Sequence, residues 1–255
     1  MGGCWTVRWS GVEMAEHVIV WDLETIPDLE AYAAANGLDR QPEAQIREAL
    51  GDKFPKLIYH AIVCIGALVA ERREGGWSVI ASGAPHIGER SEKLLIEDFV
   101  KKIGDLQPQL VTFNGTSFDL PVLRYRAMLH RVSAPGLISR AYFNRYTEDA
   151  LDLCDVLASF NSQSRVTLHE LCRAIGLPGK PESVDGGNVE ALYRAGRITD
   201  ISDYCETDVV NTYRVWLRYE LFRGRLSQEG FLGSEDNLVG YIRDRTSKAH
   251  LGQFI

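Results

Sequence analysis

The first strong pattern along the chain is the apolar run "HVIVWDL" (17–23), which turns polar at Asp22 and Glu24. A short continuous apolar run bounded by polar residues reads as a strand covered on both faces. Residues 27–55 are Ala- and Glu-rich with Gly and Pro breaks, which predicts helix interrupted by a loop. Residues 57–84 hold two apolar stretches around "REGG", the signature of a hairpin. "SEKLLIEDFVKKIGDL" (91–106) places Leu94, Leu95, Phe99 and Ile103 on one helical face, with Ser91 as N-cap. "QLVTFNG" (109–115) predicts a short buried strand, and 117–131 a helix whose first turn tolerates Pro121. Residues 149–160 read as a strand or a strand-to-helix join. A helix over 167–179 closes at Gly176 and Pro178, and further helices follow at 187–195 and about 200–222. The polar stretch 223–255 predicts helix after Ser234. No repeat or low-complexity linker interrupts the chain.

Three early strands, two of them a hairpin, followed by alternating helix and strand predict an α/β sandwich with a mixed sheet. A purely parallel nucleotide-binding sheet would not open with that hairpin. The expected organisation is a tail over 1–16, either disordered or an over-long start ahead of Met14, a main domain over 17–222, and a C-terminal extension over 223–255 packed on the same domain. The tail lacks an apolar core of signal-peptide length.

Composition changes the picture only modestly. The 255 residues are 45% hydrophobic and 25% charged, ordinary values for a soluble globular protein. The best apolar stretch, "AIVCIGALVA" (61–70), is strand-sized, so no membrane partner is expected. A net charge of −7 argues against coating nucleic acid by bulk electrostatics. It leaves room for an enzyme that holds a polyanion through divalent cations. Cysteines at 4, 64, 154, 172 and 205 form no zinc-type spacing. They read as reduced thiols of the cytosol, giving a cytoplasmic expectation.

The candidate chemistry is carboxylate. Asp22 and Glu24, at i and i+2 of a strand, project to the same side. Asp119 in "FNGTSFDLPVL" follows a strand at a helix start, where an Asp is ordinarily a cap. Tyr204 and Asp208 in "DYCETDVVNTY" share a helix face. Asp152 and Asp155 read as strand-end and capping residues, with Asp152 an outside candidate for a further ligand. Read alone, "DLET" fits a metal site, a phosphatase nucleophile or the polar end of an edge strand.

The ordered set D-x-E, N-G-x-x-F-D and Y-x-x-x-D resembles the three motifs of the DEDD, or DnaQ-like, 3'-5' exonucleases of ribonuclease H-like fold. It is most similar to the stand-alone predicted exonucleases related to the proofreading domain of family-B DNA polymerases. The resemblance spans roughly 17–222. The histidine branch would need His where Asp203 stands, so the chain resembles the tyrosine branch. The resemblance implies a central mixed sheet of about five strands, the second antiparallel, flanked by helices. It implies two Mg²⁺ or Mn²⁺ ions, a preference that hard carboxylate oxygens suit. Asp22 would bridge both ions, Glu24 and Asp208 would complete the site of the attacking water, and Asp119 would act on the second ion. Tyr204 would orient that water, since its ordinary pKa of about 10 makes it a poor base.

The substrate so implied is the free 3' end of single-stranded nucleic acid, DNA favoured over RNA, with release of nucleoside 5'-monophosphates. Repair, or proofreading in trans, is the process that goes with it. Thr25 and Ile26 would meet the terminal nucleotide, Asn114 would hydrogen-bond to it and Phe118 would stack on it. Phe118 fits a core aromatic equally well. Lys180 is a candidate phosphate contact, and His60 reads as packing within a strand. Two alternatives stand beside this reading. A haloacid-dehalogenase-like phosphatase would need Asp where Glu24 stands, and a binding module on the same fold would have lost catalysis.

Overall fold

The computed structural model describes residues 16–51, 53–179, 186–245 and 248–255. Strand β1 (His17–Pro27) is the spine, and α1 (Leu29–Asn36) and α2 (Glu43–Leu50) follow it. The hairpin β2 (His60–Arg73) and β3 (Gly76–Gly83) turns through Glu74 and Gly75, both at positive φ. Helix α3 (Glu92–Leu106), strand β4 (Gln109–Thr112), helix α4 (Asp119–Leu129) and the joined β5 (Ala150–Asp152) and α5 (Leu153–Leu157) come next. The chain ends in α6 (Leu168–Ala174), α7 (Val189–Arg194), the long α8 (Ile198–Phe222), α9 (Gln228–Arg243) and a 3-10 turn over Ala249–Phe254.

The sheet runs β3-β2-β1-β4-β5. β2 is antiparallel to β1 and β3, while β4 and β5 run parallel to β1. This is the mixed five-stranded sheet flanked by helices, with an antiparallel second strand, that the sequence led us to expect. Residues Val18 to Leu23 are buried except for the half-buried Asp22, as a central strand with both faces covered requires. Val18 and Val20 join the cluster under α8, with Val209, Val210 and Tyr213. Ile19, Trp21 and Leu23 join the opposite cluster, under α3 and α4.

Several boundaries differ from the pattern. β1 extends to Pro27 because its pairing with β2 continues to Pro27↔His60. β4 stops at Thr112 because Asn114 takes a left-handed φ of 73° and turns the chain. α4 begins at Asp119, two residues late. Leu94 lies off the buried face, 48% exposed, because Leu95, Ile96, Phe99, Val100 and Ile103 already fill it.

The C-terminal helix begins at Gln228, capped by the Ser227 side chain, well before Ser234. Ser234 is instead fully buried, and its hydroxyl accepts the Trp77 N–H of edge strand β3 at 2.9 Å. Asn237 Oδ1 accepts the Val79 N–H at 2.7 Å. Polar residues that look like a solvated tail thus cap the open edge of the sheet, where unpaired N–H groups would invite another strand. No helix among the described residues is long and apolar enough to cross a membrane.

Candidate active site

The alternation of β1 decides where its carboxylates go. Asp22 and Glu24 continue the even-numbered row of Val18 and Val20, so they emerge on the α8 side. Opposite them α8 presents Tyr204 and Asp208, and all four line one cleft of about 800 Å³. The helix can lie this close because β2 carries Gly66 directly opposite Asp22. A Cβ there would come within 2.7 Å of Cys205 Sγ and 3.0 Å of Val209 Cγ2.

Asp119 arrives from the other layer. β1 runs past its last β4 pairing, Val20↔Val111, so the Leu23 N–H lies beyond that ladder. Asp119 Oδ1 accepts it at 2.9 Å, pinning the start of α4 between Asp22 and Glu24. The loop leading to Asp119 is shaped by Asp152 at the end of β5. Its carboxylate accepts the backbone N–H groups of Asn114 (2.8 Å), Thr116 (3.0 Å) and Cys154 (3.0 Å). Asp152 is therefore the strand-end cap that its position suggested. Asp155, fully buried, instead holds Arg145 and Arg165.

Glu24, Asp119, Tyr204 and Asp208 are all buried. Burial pushes the Asp119 carboxyl up to about 7 and the Asp152 charge adds to this, against hydrogen bonds from the Leu23 N–H and its own N–H. Burial also raises Tyr204, helped by the charges of Asp208, Glu24 and Asp22 and by its hydrogen bond to Asp208. The phenol therefore keeps its proton at neutral pH. Ligand atoms of Asp22, Glu24 and Cys205 lie within 4.8 Å of one another, a group able to hold a metal ion. The Cys205 thiol is pushed well up by its hydrogen bond with Cys64, by burial and by the neighbouring carboxylates. A protonated thiol is a poor partner for a hard cation, so the oxygens are the better donors.

Thr25, Asn114 and Phe118 line the same cleft. Ile26 does not: its side chain packs against the cluster of Val63, Cys64, Ala84, Val189, Ile201 and Cys205. Lys180 lies outside the described residues, as do residues 1–15. His60 is buried and lines the cleft. Burial lowers its pKa, against a hydrogen bond with the Pro55 carbonyl. With Nε2 donating to that carbonyl at 3.3 Å, neutral His60 accepts the Thr25 hydroxyl at Nδ1, 3.0 Å away.

Two cleft residues and one buried neighbour escaped the sequence pattern. Phe54, 73% exposed, stacks its ring 4.9 Å from His60 and 5.7 Å from Phe118, and His60 and Phe118 are 5.0 Å apart. An isolated aromatic beside Pro55 in a polar loop was the one available signal. Arg165, which lines the cleft and donates to Asn114 Oδ1 at 3.1 Å, gave none. Cys205 was hidden beside Tyr204 as an ordinary scattered thiol.

A family model described as a predicted 3'-5' exonuclease related to the exonuclease domain of PolB matches residues 52–255. Asp119, Tyr204 and Asp208 fall within that match. Asp22 and Glu24 precede it and join them through the geometry of β1. No curated protein matches the chain.

Proposed function

The chain therefore belongs to this exonuclease family, and we propose that it removes nucleoside 5'-monophosphates from the free 3' end of single-stranded nucleic acid with two divalent cations. The observation that carries the reading is the meeting of Asp22, Glu24, Asp119, Tyr204 and Asp208, drawn from β1, α4 and α8, in one cleft. Membership leaves the phosphatase alternative without support.

The donor set suits Mg²⁺ or Mn²⁺. It is built of carboxylate oxygens, and one of them, Asp119, is held near neutrality by burial with only N–H groups to stabilise its charge. Asp22, Glu24, Asp119 and Asp208 would hold the cations. When bound, these would neutralise the phosphate, lower the pKa of the attacking water and stabilise the departing 3'-oxygen. Tyr204, protonated, would donate or accept one hydrogen bond to set the direction of that water. Asp119 keeps α4 at its post through the Leu23 N–H. Phe54, Phe118 and neutral His60 form an aromatic wall on which the terminal base stacks. Asn114 and the Thr25 hydroxyl supply hydrogen bonds beside it. DNA is favoured over RNA through the stated relation of the family to a polymerase exonuclease domain.

A 5'-labelled single-stranded oligonucleotide with Mn²⁺ should give a ladder shortening from its 3' end, and EDTA should stop it. A 3'-blocked strand degraded as fast would overturn the exonuclease reading. Matched DNA and RNA strands in the same assay decide the sugar preference.

A further inference from the structure

Arg165 is the cleft residue from which a second surface begins. Buried Asp155 accepts from Arg165 on one oxygen and from Arg145 on the other, the latter at 2.5 Å. Arg145 in turn sits over two rings, 5.8 Å from the centroid of Tyr146 and 5.6 Å from that of Phe160. Those rings lie 5.0 Å apart and tilted by 56°, and both reach solvent, Tyr146 at 73% and Phe160 at 41%. The result is a continuous row of Arg165, Arg145, Tyr146 and Phe160 leading out of the cleft.

Two features set the row apart from ordinary surface. Two guanidiniums converge on the one buried Asp155 carboxylate, which holds both side chains in place on a chain whose net charge is −7. Each guanidinium has five N–H donors in a fixed fork suited to phosphate. Phe160 is also held outward by an uncommon backbone. Ser159 and Phe160 are consecutive non-glycine residues at positive φ, 51° and 59°, locked by the Phe160 N–H to Asp155 carbonyl bond of 2.8 Å. Such conformations persist where the surroundings impose them, often at binding sites.

We propose that this row is the track for the single strand upstream of its 3'-terminal nucleotide: phosphates pass Arg165 and Arg145, and bases stack on Tyr146 and Phe160. Stacked rings with arginine between them suit a single strand of any sequence. The proposal rests on the exonuclease reading of the adjoining cleft.

The test compares a dinucleotide with a longer single strand, in wild type and in the Tyr146→Ala/Phe160→Ala double variant. Both side chains are exposed, and alanine keeps the Cβ at position 160. The readouts are kcat/KM on each substrate with Mn²⁺, and anisotropy of the labelled strands in EDTA. In wild type the longer strand should be preferred, and the double variant should lose that preference by about tenfold or more, in KM rather than kcat. Tyr146→Ala alone should lose part of it. An unchanged ratio of long to short in the double variant overturns the track and leaves the exonuclease reading standing. A wild type that binds the longer strand more tightly than the double variant does, yet cleaves neither substrate, upholds the track and overturns the exonuclease reading.

Discussion

Glu206 and Asp119 are both buried carboxylates, and the protein treats them in opposite ways. Glu206 lies on α8 between Tyr204 and Asp208, on the side away from the cleft. It accepts from the Ser82 hydroxyl at 2.5 Å, pairs with Lys248, and meets the His250 ring at 3.0 Å. Burial would raise its carboxyl, but the hydrogen bonds of His250, Lys248 and Ser82 outweigh this and bring it down to about 2. Asp119 has backbone N–H groups as partners and the Asp152 charge as a neighbour, and burial leaves it at about 7. The fold thus completes one carboxylate with its own Lys248 ammonium and hydrogen-bond partners, tying the C-terminal turn to α8. It leaves the other in a cleft with three more acids, where the cation we propose would restore the balance. Burial alone does not distinguish a structural carboxylate from a functional one. Its partners do.

The widest separation between the two regions should appear in turnover. Asp22→Ala or Asp208→Ala should cut exonuclease turnover by more than about a hundredfold, beyond the loss expected of outer-shell residues. Glu206→Ala should keep most of the turnover of each folded molecule. Equal losses in a folded Glu206→Ala protein would erase the distinction.

Stability should separate them in the other direction. Glu206→Ala leaves Lys248 only the Ser82 carbonyl and His250 only Asp203 as partners, and should cost roughly 2–3 kcal/mol by urea unfolding. The pH dependence has a defined sign. Because the folded carboxyl is depressed from 4.5 to about 2, its stabilisation is present above about pH 4.5 and disappears as pH falls toward 2. An acid limb of the stability curve that Glu206→Ala leaves unaltered would remove the ion pair from the account.

Cation binding sharpens the same contrast. Mn²⁺ at a hundred times its Kd should stabilise wild type by about 2.7 kcal/mol and raise Tm, with EDTA reversing the gain. Glu206→Ala should keep that increment and Asp22→Ala should lose it. A wild type with no shift would count against the cation site. The smallest effect belongs to Tyr204→Phe. Losing one orienting hydrogen bond should slow kcat by about tenfold, and full activity would remove the phenol from the mechanism.

Much of this was legible along the chain because the relevant signals are local. The i, i+2 spacing of Asp22 and Glu24 on an apolar run placed both on one sheet face. The i, i+4 spacing of Tyr204 and Asp208 did the same on a helix. The capping role of Asp152 followed from its place at a strand end. Other features were illegible because they depend on what a distant segment does. Leu94 has the right residue type for a core, but its neighbours occupy the face. Ile26 belongs to the motif stretch, yet its side chain packs away from the cleft. Phe54 and Arg165 belong to loops without periodicity, so the isolated aromatic beside Pro55 was the one faint signal and Arg165 gave none. The polar stretch after Phe222 concealed Ser234 and Asn237, whose partners are N–H groups more than 150 residues earlier.

The sequence by itself determined most element types and, through their order, the mixed sheet, while the four candidate acids and the phenol came from the ordered set of motifs and its resemblance to the exonuclease family, since each spacing alone was ambiguous. Only the tertiary structure decided which carboxylates would meet and what charge they would carry. Gly66 admits α8 against β1, the overhang of β1 past β4 receives Asp119, and Lys248 and His250 come to Glu206 instead of the cleft. A carboxylate's ionisation is set by the dielectric and the partners around it, and those come from segments far apart in the chain.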